Sequence, residues 1–303
     1  MAISRSQLVK ELEPGLNALF GLEYKRYENQ HAEIYTTESS DRAFEEEVML
    51  SGFANAQVKG EGSGVSFDEA QETFTARYTH ETVALAFAIT EEAIEDNLYD
   101  RLASRYTKAL ARSMSNAKQV KAVEPLINGL PSTDTFDSGD GVSLFNTSHP
   151  TVAGTFANTL ATQADLNETS LEQSMIDIAK MSDERGLRIA ARGVKMIIPS
   201  ELQFTAERLM KSQGRTATAD NDINAIVSMG MIPQGYRVNN YLTDSDAFYI
   251  ITDVPNGMKM FQRAPLTTAM EGDFDTGNVR YKARERYSFG VSDPRGIFGV
   301  EGA

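Results

Sequence analysis

The clearest pattern in the sequence is a strict alternation of large and small side chains over residues 82–89. Val83, Leu85, Phe87 and Ile89 occupy the odd positions, and threonine or alanine occupies the even ones. Because successive side chains of a strand point to opposite faces, this alternation predicts a β-strand with one bulky face and one face of small residues.

A glycine-rich segment, 60–64, lies upstream of this strand. It separates Val58 from a second alternating stretch that contains Val65, Phe67, Phe74, Ala76 and Tyr78. Glycine adopts turn conformations without steric cost, so the pattern predicts a long two-stranded flap with its tip at the glycines. Two strands alone are only marginally stable in water, so we expect this flap to lie on a neighbouring surface.

The hydrophobic period changes from two residues to about four at Thr90, a residue type that caps helix N-termini. Lysine and arginine accumulate toward the other end of this pattern, and we expect the helix to end just before Pro125. A helix over 90–125 is roughly 50 Å long at 1.5 Å per residue, which suits a spine for an elongated molecule. Its recurring apolar residues are Ile94, Leu98, Leu102, Tyr106, Leu110 and Met114.

The rest of the chain mixes short helical and strand patterns. Helices are expected at 168–182 and around 202–210, and from Tyr236 onward short strands dominate. The expected strands are 194–198, 236–242, 247–252, 258–261 and 279–291.

These elements together predict an α+β fold. The N-terminal segment has no long period and is expected to be extended or partly helical. The predicted segments are an N-terminal arm over 1–40, a flap with its leading strands over 41–89 and a spine helix over 90–125, followed by a mixed lobe and final strands.

Composition narrows the possible functions. The chain has 303 residues, 41% hydrophobic and 24% charged, which is the balance of a globular protein. It has no cysteine, so disulfides and thiolate chemistry are excluded. The net charge of −14 repels phosphates and argues against sequence-specific DNA binding. The N-terminus lacks the apolar core of a signal peptide, and the longest apolar run, Val83–Ile89, is too short to span a bilayer.

A catalytic base or metal site that uses histidine has few possible positions, because only His31, His80 and His149 are present. Ser148 beside His149 has the residue types of a nucleophile and its base. Adjacent residues rarely point at each other, however, and no nucleophile elbow surrounds Ser148. We interpret this pair as part of a loop before Pro150.

Two acidic clusters have the spacing of cation sites. Asp220, Asp222 and Asn224 match the start of a calcium loop, but Ala225 and Met231 occupy its glycine and bidentate-acid positions. A capped helix start at Ile223 is the better interpretation.

The second cluster is Asp273 and Asp275 before Gly277. These residues could hold a cation or form a hairpin turn.

Gly60, Gly62 and Gly64 are not followed by the Lys-Ser/Thr pair and helix of a phosphate-binding loop. We therefore assign no catalytic, cofactor-binding or metal-binding residue, and we predict that the chain is not an enzyme.

Local strings in the sequence resemble segments of the major capsid proteins of tailed double-stranded DNA bacteriophages, a family with the Hong Kong 97-type fold. The predicted order of arm, flap, strand, spine helix, mixed lobe and final strands is similar to that layout. The strings are TEEAIEDNLYDRL at 90–102, SLFNTSHP at 143–150, PSELQFTAERLMKS at 199–212, ADNDINAI at 219–226 and FDTGNVRYKARERYSFGVSDPRG at 274–296.

The resemblance implies a peripheral domain that contains the spine helix and the C-terminal strands over 266–303, and a mixed α/β axial domain over 126–265. It also implies pentamers and hexamers that form an icosahedral shell around double-stranded DNA. The virion is the expected location, with assembly in the host cytoplasm and no membrane association. Expected partners are a separate scaffolding protein, a portal protein and a decoration protein.

Lys59 is the one flap residue with a further implication, because in some capsids of this fold a flap lysine is linked to an asparagine of a neighbouring subunit. No matching asparagine and acid are identifiable here, so a solvated lysine is the preferred interpretation. Two alternatives to the phage capsid stay open. One is an encapsulin-type nanocompartment shell of the same fold, and the other is a soluble acidic hydrolase, which requires a pocket with converging, strongly perturbed carboxylates.

Overall fold

The computed structural model describes residues 5–90, 92, 99–214, 223–273 and 277–303 of the chain. Its helices and strands form an α+β fold with two four-stranded sheets. The helices are α1 (Arg5–Arg26), α2 (Tyr99–Asn128), α3 (Glu168–Lys180), α4 (Gln203–Lys211) and α5 (Ala225–Met229). The strands are β1 (Thr36–Ser39), β2 (Phe44–Leu50), β3 (Glu72–Thr79), β4 (Glu81–Ile89), β5 (His149–Thr151), β6 (Gly154–Phe156), β7 (Gly193–Ile198), β8 (Tyr236–Val238), β9 (Phe248–Thr252), β10 (Met258–Gly272), β11 (Val279–Val291) and β12 (Ile297–Val300).

The first sheet has the order β1-β10-β11-β4, in which β1 runs parallel to β10 and the other pairs are antiparallel. Helices α1 and α2 cover one of its faces. Leu16 and Phe20 of α1 pack with Leu110 and Met114 of α2 over Tyr281 of β11. Burial of these apolar side chains holds the two helices on the sheet.

The second sheet has the order β12-β9-β7-β8. Phe248 and Ile250 of β9 are fully buried against α3, whose Leu171 and Ile178 face the same core. Helix α3 begins with a capping box, because the Asn167 side chain accepts a hydrogen bond from the Ser170 N–H and the Ser170 hydroxyl accepts one from the Asn167 N–H.

A third core joins the two sheets at the C-terminal end of α2. Val123 and Leu126 of this helix pack with Tyr249 of the second sheet and Tyr287 of the first. Gly129 allows Leu144 to pack closely there, because a Cβ atom at this position would lie 2.5 Å from the Cβ of Leu144. The two sheets and the long helix therefore meet in this third core.

The prediction that α2 ends before Pro125 is wrong. The helix continues to Asn128 with Pro125 inside it, and the Gly129 N–H donates to the Pro125 carbonyl at 3.1 Å. A proline inside a helix costs about 3 kcal/mol. Burial of Leu126 and Leu130 in the last turn and just beyond it offsets that cost.

The predicted buried row of α2 is also only partly right. Leu110 and Met114 are buried, but Tyr106 is 47% exposed. An α-helix has 3.6 residues per turn, so residues spaced exactly four apart are rotated progressively around the helix axis. A row with that spacing therefore does not stay on the buried face. The face that is buried includes Ala103, Thr107, Leu110, Ala111, Met114, Gln119, Ala122 and Val123.

The flap strands are shorter than predicted. Strands β2 and β3 pair from Phe44 with Thr79 to Leu50 with Glu72, and residues 51–71 form no strand. Val58 and the 65–67 stretch therefore do not belong to the ladder. Near the C-terminus the deviations run in both directions, since β8 ends at Val238 rather than at residue 242, whereas β10 extends to Gly272 rather than ending at 261.

The predicted segment boundary at residue 265 does not follow the sheets. Residue 265 lies inside β10, which belongs to the first sheet along its whole length. Strand β12, in the segment assigned to the C-terminal peripheral strands, pairs with β9 of the second sheet. The sheet to which β10 and β12 belong is decided by pairing with strands distant in sequence. The hydrophobic pattern along the chain could not predict it, because that pattern does not identify the partner strand.

Some sequence-based assignments lie outside the described residues. They concern the first turns of the spine helix after Thr90, the acidic residues Asp220 and Asp222, and Asp275. The side chain of Leu102 also lies outside them.

Candidate assembly surface

The most exposed segment of the described chain is the loop between β2 and β3, residues 51–71, here called the flap loop. Every residue from 52 to 71 is exposed. Its large apolar side chains include Val58 and Phe67, which are 99% and 98% exposed. Apolar groups this exposed, on a loop without strand pairing, are typical of a surface that another molecule covers.

The two ends of the flap loop are held together at its neck. The Ser51 N–H donates to the Gln71 carbonyl at 2.9 Å, and the Gln71 N–H donates to Ser51 Oγ at 3.0 Å. Asp68 accepts hydrogen bonds from the N–H groups of Ala54 and Glu69, which lower the pKa of its carboxyl. The Arg185 side chain donates to the Glu69 carbonyl at 2.5 Å. The loop is thus closed at its base.

The tip of the flap loop is the predicted glycine turn. Ser63 donates from both its N–H and its hydroxyl to the Gly60 carbonyl, and Gly62 has φ +77°, which favours glycine. No helix follows this turn, so the glycines do not form a phosphate-binding loop. Lys59 is exposed, and no ion pair of the described residues includes it.

Strand β3 anchors the flap to the body of the chain. The Tyr78 ring packs edge-on against Phe261 at 4.7 Å, and its hydroxyl hydrogen-bonds with Ser292 Oγ at 2.5 Å. Gly290 provides the space, because a Cβ atom there would lie 2.6 Å from the Tyr78 ring. The flap therefore has a fixed base and an exposed end.

Ser148 and His149 point in different directions, as the sequence analysis anticipated. Ser148 is exposed and its N–H donates to Asn146 Oδ1 at 2.9 Å, whereas the His149 side chain is fully buried. His149 therefore does not serve as a base for the Ser148 hydroxyl in this arrangement.

His149 instead belongs to a buried polar cluster with Asp140 and Asn158. Its Nδ1 lies 2.7 Å from Asp140 Oδ2, and its Nε2 lies 3.0 Å from Asn158 Oδ1. The Asn158 amide nitrogen donates to the carbonyls of Leu144 and Pro294, which fixes its oxygen toward the ring. Both ring nitrogens of His149 thus face acceptors, and the ring acts as a crosslink between loops.

The charge of Asp140 is stabilised within this cluster. Burial alone would raise the pKa of Asp140, but hydrogen bonds from His149, Ser138 and the Val142 N–H hold it below its usual value. The carboxylate is fully committed to these donors, as expected for a structural group.

Arg295 forms a second buried polar cluster that the sequence analysis did not find. Its guanidinium contacts Glu184, donates through Nε to the Ser182 carbonyl at 2.9 Å, and lies 4.4 Å above the Phe156 ring. Burial raises the pKa of neighbouring Asp293, against the opposing effect of Arg295. The sequence feature that could have revealed this cluster is Arg295 itself, which lies in the otherwise apolar stretch 294–300. An arginine buried in such a stretch must be paired with an acidic group.

The other two histidines have different hydrogen-bond partners. His31 contacts Gln119 of α2, and His80 hydrogen-bonds with Ser288 Oγ and Ser40 Oγ, each at 2.9 Å. They and His149 therefore do not form one site. In the part of the chain that the structure describes, no group of three or more histidine or acidic residues could hold a metal ion.

The acidic clusters have structural roles where they are described. Asn224 caps α5 by accepting from the N–H groups of Ile226 and Val227, so the helix begins at Ala225 rather than at Ile223. Asp273 closes the β10–β11 hairpin, where its N–H donates to the Asn278 carbonyl and its carboxylate accepts from Arg280. Within the described ranges, no helix is long and apolar enough to cross a membrane.

Comparison of the sequence with known protein families shows which family the chain belongs to. The family described as "Phage capsid protein" matches residues 72–300, which include β3, the long helix, the second sheet and every strand of the first sheet except β1. The chain belongs to the phage capsid protein family. No curated protein sequence matches it.

Solved structures agree with this family at the level of the fold. The virus-like particle from Pyrococcus furiosus is 10% identical, with a TM-score of 0.54, over 95% of this capsid protein and 98% of that chain. The capsid of the empty GTA particle is 14% identical, with a TM-score of 0.56, over 90% and 89%. The capsid of Myoviridae phage XM1 is 10% identical, with a TM-score of 0.54, over 89% of both chains. The capsid protein therefore has the α+β fold of the Hong Kong 97 type that the sequence predicted.

Proposed function

We propose that this capsid protein is the major head protein of a tailed double-stranded DNA bacteriophage and that its copies form pentamers and hexamers of an icosahedral shell. The observation that carries the proposal is the flap loop. Its exposed apolar side chains contribute nothing to the subunit's own core, so their burial must come from another molecule. Many copies of one modest contact make a durable shell without disulfides.

The division of the subunit follows its two sheets. We assign the first sheet, α1, α2 and the flap to the peripheral domain, and the second sheet with α3, α4 and α5 to the axial domain, which gathers around the fivefold and sixfold axes. Strand β12 goes with the axial domain because it pairs with β9. The long helix α2, roughly 45 Å at 1.5 Å per residue, connects the two as a spine.

The role of the protein in the virion is structural. It encloses DNA without reading sequence, which agrees with its net charge of −14. A separate scaffolding protein and a portal protein are the expected partners, and a decoration protein is a further candidate. Assembly takes place in the host cytoplasm, with no membrane step.

Its buried acids support this structural role over the hydrolase alternative. Burial raises the pKa of Glu285, but this carboxylate faces Lys118 of α2 at 3.2 Å and not a pocket. Glu184 and Asp293 line a cavity that also includes Asp183 and Asp253, but both of them are paired with the Arg295 guanidinium. A hydrolase needs perturbed carboxylates that converge on a substrate, whereas each of these is held by a cation inside the fold.

Microscopy of the purified protein tests the proposal. Light scattering and negative-stain images should show rings, tubes or closed shells, with or without a co-expressed scaffolding protein. A subunit that stays monomeric under both conditions would contradict a capsid role. Shells that co-purify with an enzyme as cargo would instead identify the encapsulin-type alternative.

A further inference from the structure

A cavity of about 360 Å³ lies beside the neck of the flap loop. Leu50, Ser51 and Gly52 line it from the flap. The loop after α3, the turn after β9 and the turn before β12 line it from the body of the subunit. One water needs only about 10–15 Å³, so this space is large enough for a small organic molecule that touches both parts of the chain.

The lining of this cavity is strongly acidic. Asp183, Glu184, Asp253 and Asp293 all belong to it, and Arg295 is the single cation among the lining residues. Glu184 and Asp293 share the Arg295 guanidinium, whereas no ion pair of the described residues includes Asp183 or Asp253. Because Glu184 alone balances the charge of Arg295, the charges of Asp183 and Asp253 remain uncompensated within the lining.

Glu184 has one oxygen without a hydrogen-bond donor. The residue is 2% exposed, and its Oε1 is held by Arg295. Its Oε2 is buried and has no hydrogen-bond partner among the described residues. A buried acceptor that is left unsatisfied costs free energy, and native structures rarely leave one so. Since Glu184 lines the cavity, a donor bound there would satisfy this oxygen.

The two uncompensated carboxylates are held in place by backbone hydrogen bonds. Asp183 Oδ1 accepts from the N–H groups of Arg185 and Leu187 at 2.9 and 2.7 Å. Asp253 Oδ1 accepts from the Arg192 N–H at 2.8 Å. In both residues these bonds use Oδ1, which leaves Oδ2 for another donor.

The chemistry of the lining selects the kind of cation. A metal ion does not fit, because no group of three or more acidic or histidine residues in the described chain could hold one. A primary alkylammonium fits better, since it has up to three donors for carboxylate oxygens and a methylene chain for apolar surface. The apolar part of the lining includes Met49, Leu50, Ile189, Ala191, Val254 and Pro255.

We propose that this cavity binds a primary alkylammonium group, which donates to Glu184 Oε2 and packs its methylene chain on the apolar lining. A free alkyl diamine supplies this chemistry, with its second ammonium near Asp183 or Asp253. A lysine side chain of a second copy of the chain supplies it with one ammonium only. Either ligand joins the neck of the flap to the body of the subunit. Binding of a diamine by the dilute subunit does not depend on the proposed capsid function.

Calorimetric titration of the purified subunit with putrescine tests the inference. Putrescine should bind with one-to-one stoichiometry. Asp183→Asn with Asp253→Asn should weaken binding by roughly tenfold or more, because it removes the uncompensated charges and keeps the Oδ1 acceptors. Asp137→Asn with Asp244→Asn is the matched control, since these carboxylates also accept loop N–H groups but do not line the cavity. The control should bind putrescine as the unmodified protein does.

Two further variants keep the test independent of folding defects. Glu184→Gln removes the buried charge and keeps an oxygen for Arg295, so it should also weaken binding. Leu50→Lys places an ammonium at a lining position that is 61% exposed, and this tethered group should abolish putrescine binding. The melting transition of the Leu50 variant should be unchanged or raised, because the exposed position tolerates the substitution.

Four outcomes would overturn the inference. They are the absence of saturable putrescine binding, an equal loss of affinity in the control, equally tight binding of the neutral analogue butanediol, and displacement of putrescine by an equal concentration of Mg²⁺. Particle formation then separates the two sources of the ammonium. Putrescine that binds and blocks particles identifies a lysine of a second copy as the ligand in the assembly, whereas particles unaffected by bound putrescine identify a free diamine.

Discussion

His31 accepts a hydrogen bond at Nδ1 from the side-chain amide of Gln119, 3.0 Å away on α2. The backbone N–H of His31 donates to the oxygen of the same amide at 2.9 Å, which fixes the amide nitrogen toward the ring. The ring is therefore neutral, with its proton on Nε2. This pair ties the segment after α1 to the spine helix, and it makes that contact sensitive to acid.

The first prediction concerns this acid sensitivity. Burial, with the nearby Lys118 charge, lowers the pKa of His31 from 6.5 to about 4. Since the unfolded chain binds this proton more readily, the contribution of His31 to stability is complete above pH 6.5 and is lost as the pH falls to about 4. The loss amounts to about 3 kcal/mol at most.

Denaturant melts between pH 7 and pH 4 would measure the effect. His31→Asn, which keeps an acceptor but does not titrate there, should give a flatter dependence than wild type. Proton NMR of the three histidines would assign the titration directly, and a His31 ring that titrates near pH 6.5 would contradict the prediction.

The second prediction tests whether Ser148 and His149 have a structural or a catalytic role. His149→Ala should cost about 3 to 5 kcal/mol, because it leaves the buried Asp140 carboxylate without the ring that hydrogen-bonds to it. Ser148→Ala should change stability by less than about 0.5 kcal/mol, because its side chain is exposed. Thermal melts compare the two, and equal effects would refute the assignment.

The third prediction concerns the buried face of α2. Leu110→Ala should cost about 2 to 5 kcal/mol, because Leu110 is buried between α1 and the first sheet. Val120→Ala on the same helix is the matched control, since Val120 is 40% exposed and its truncation should cost far less. Denaturant unfolding that ranks the two in the opposite order would place the wrong face in the core.

The fourth prediction separates folding from assembly in the flap. Replacing Gln57 to Ser66 with a short Gly-Ser turn should leave the melting transition of the subunit nearly unchanged, because these residues are exposed and a shorter loop closes at little entropic cost. Shells should fail to form or be aberrant. Tyr78→Ala is the contrasting variant, since it removes a buried ring and should lower the melting temperature. Normal shells from the shortened flap would show that the loop makes no contact between subunits.

Local pattern predicted the elements whose signal is contained in their own residues. The alternation of 83–89 became β4, the stretch 279–291 became β11, and the glycines at 60–64 became the turn of the flap loop. The same pattern misjudged α2 at Pro125, because the burial that carries the helix past the proline comes from residues far away in sequence. Local propensity is a weak constraint where tertiary packing is strong.

By itself, the sequence determined the alternation of β11, since a period of two fixes the face of every side chain. It also determined the absence of disulfides and the acidic net charge. Only the tertiary structure decided that β4 pairs with β11, that β12 joins the second sheet, and that His149 and Arg295 are enclosed in buried polar clusters. These are relations between residues distant along the chain, and they exist only once the strands have chosen their partners.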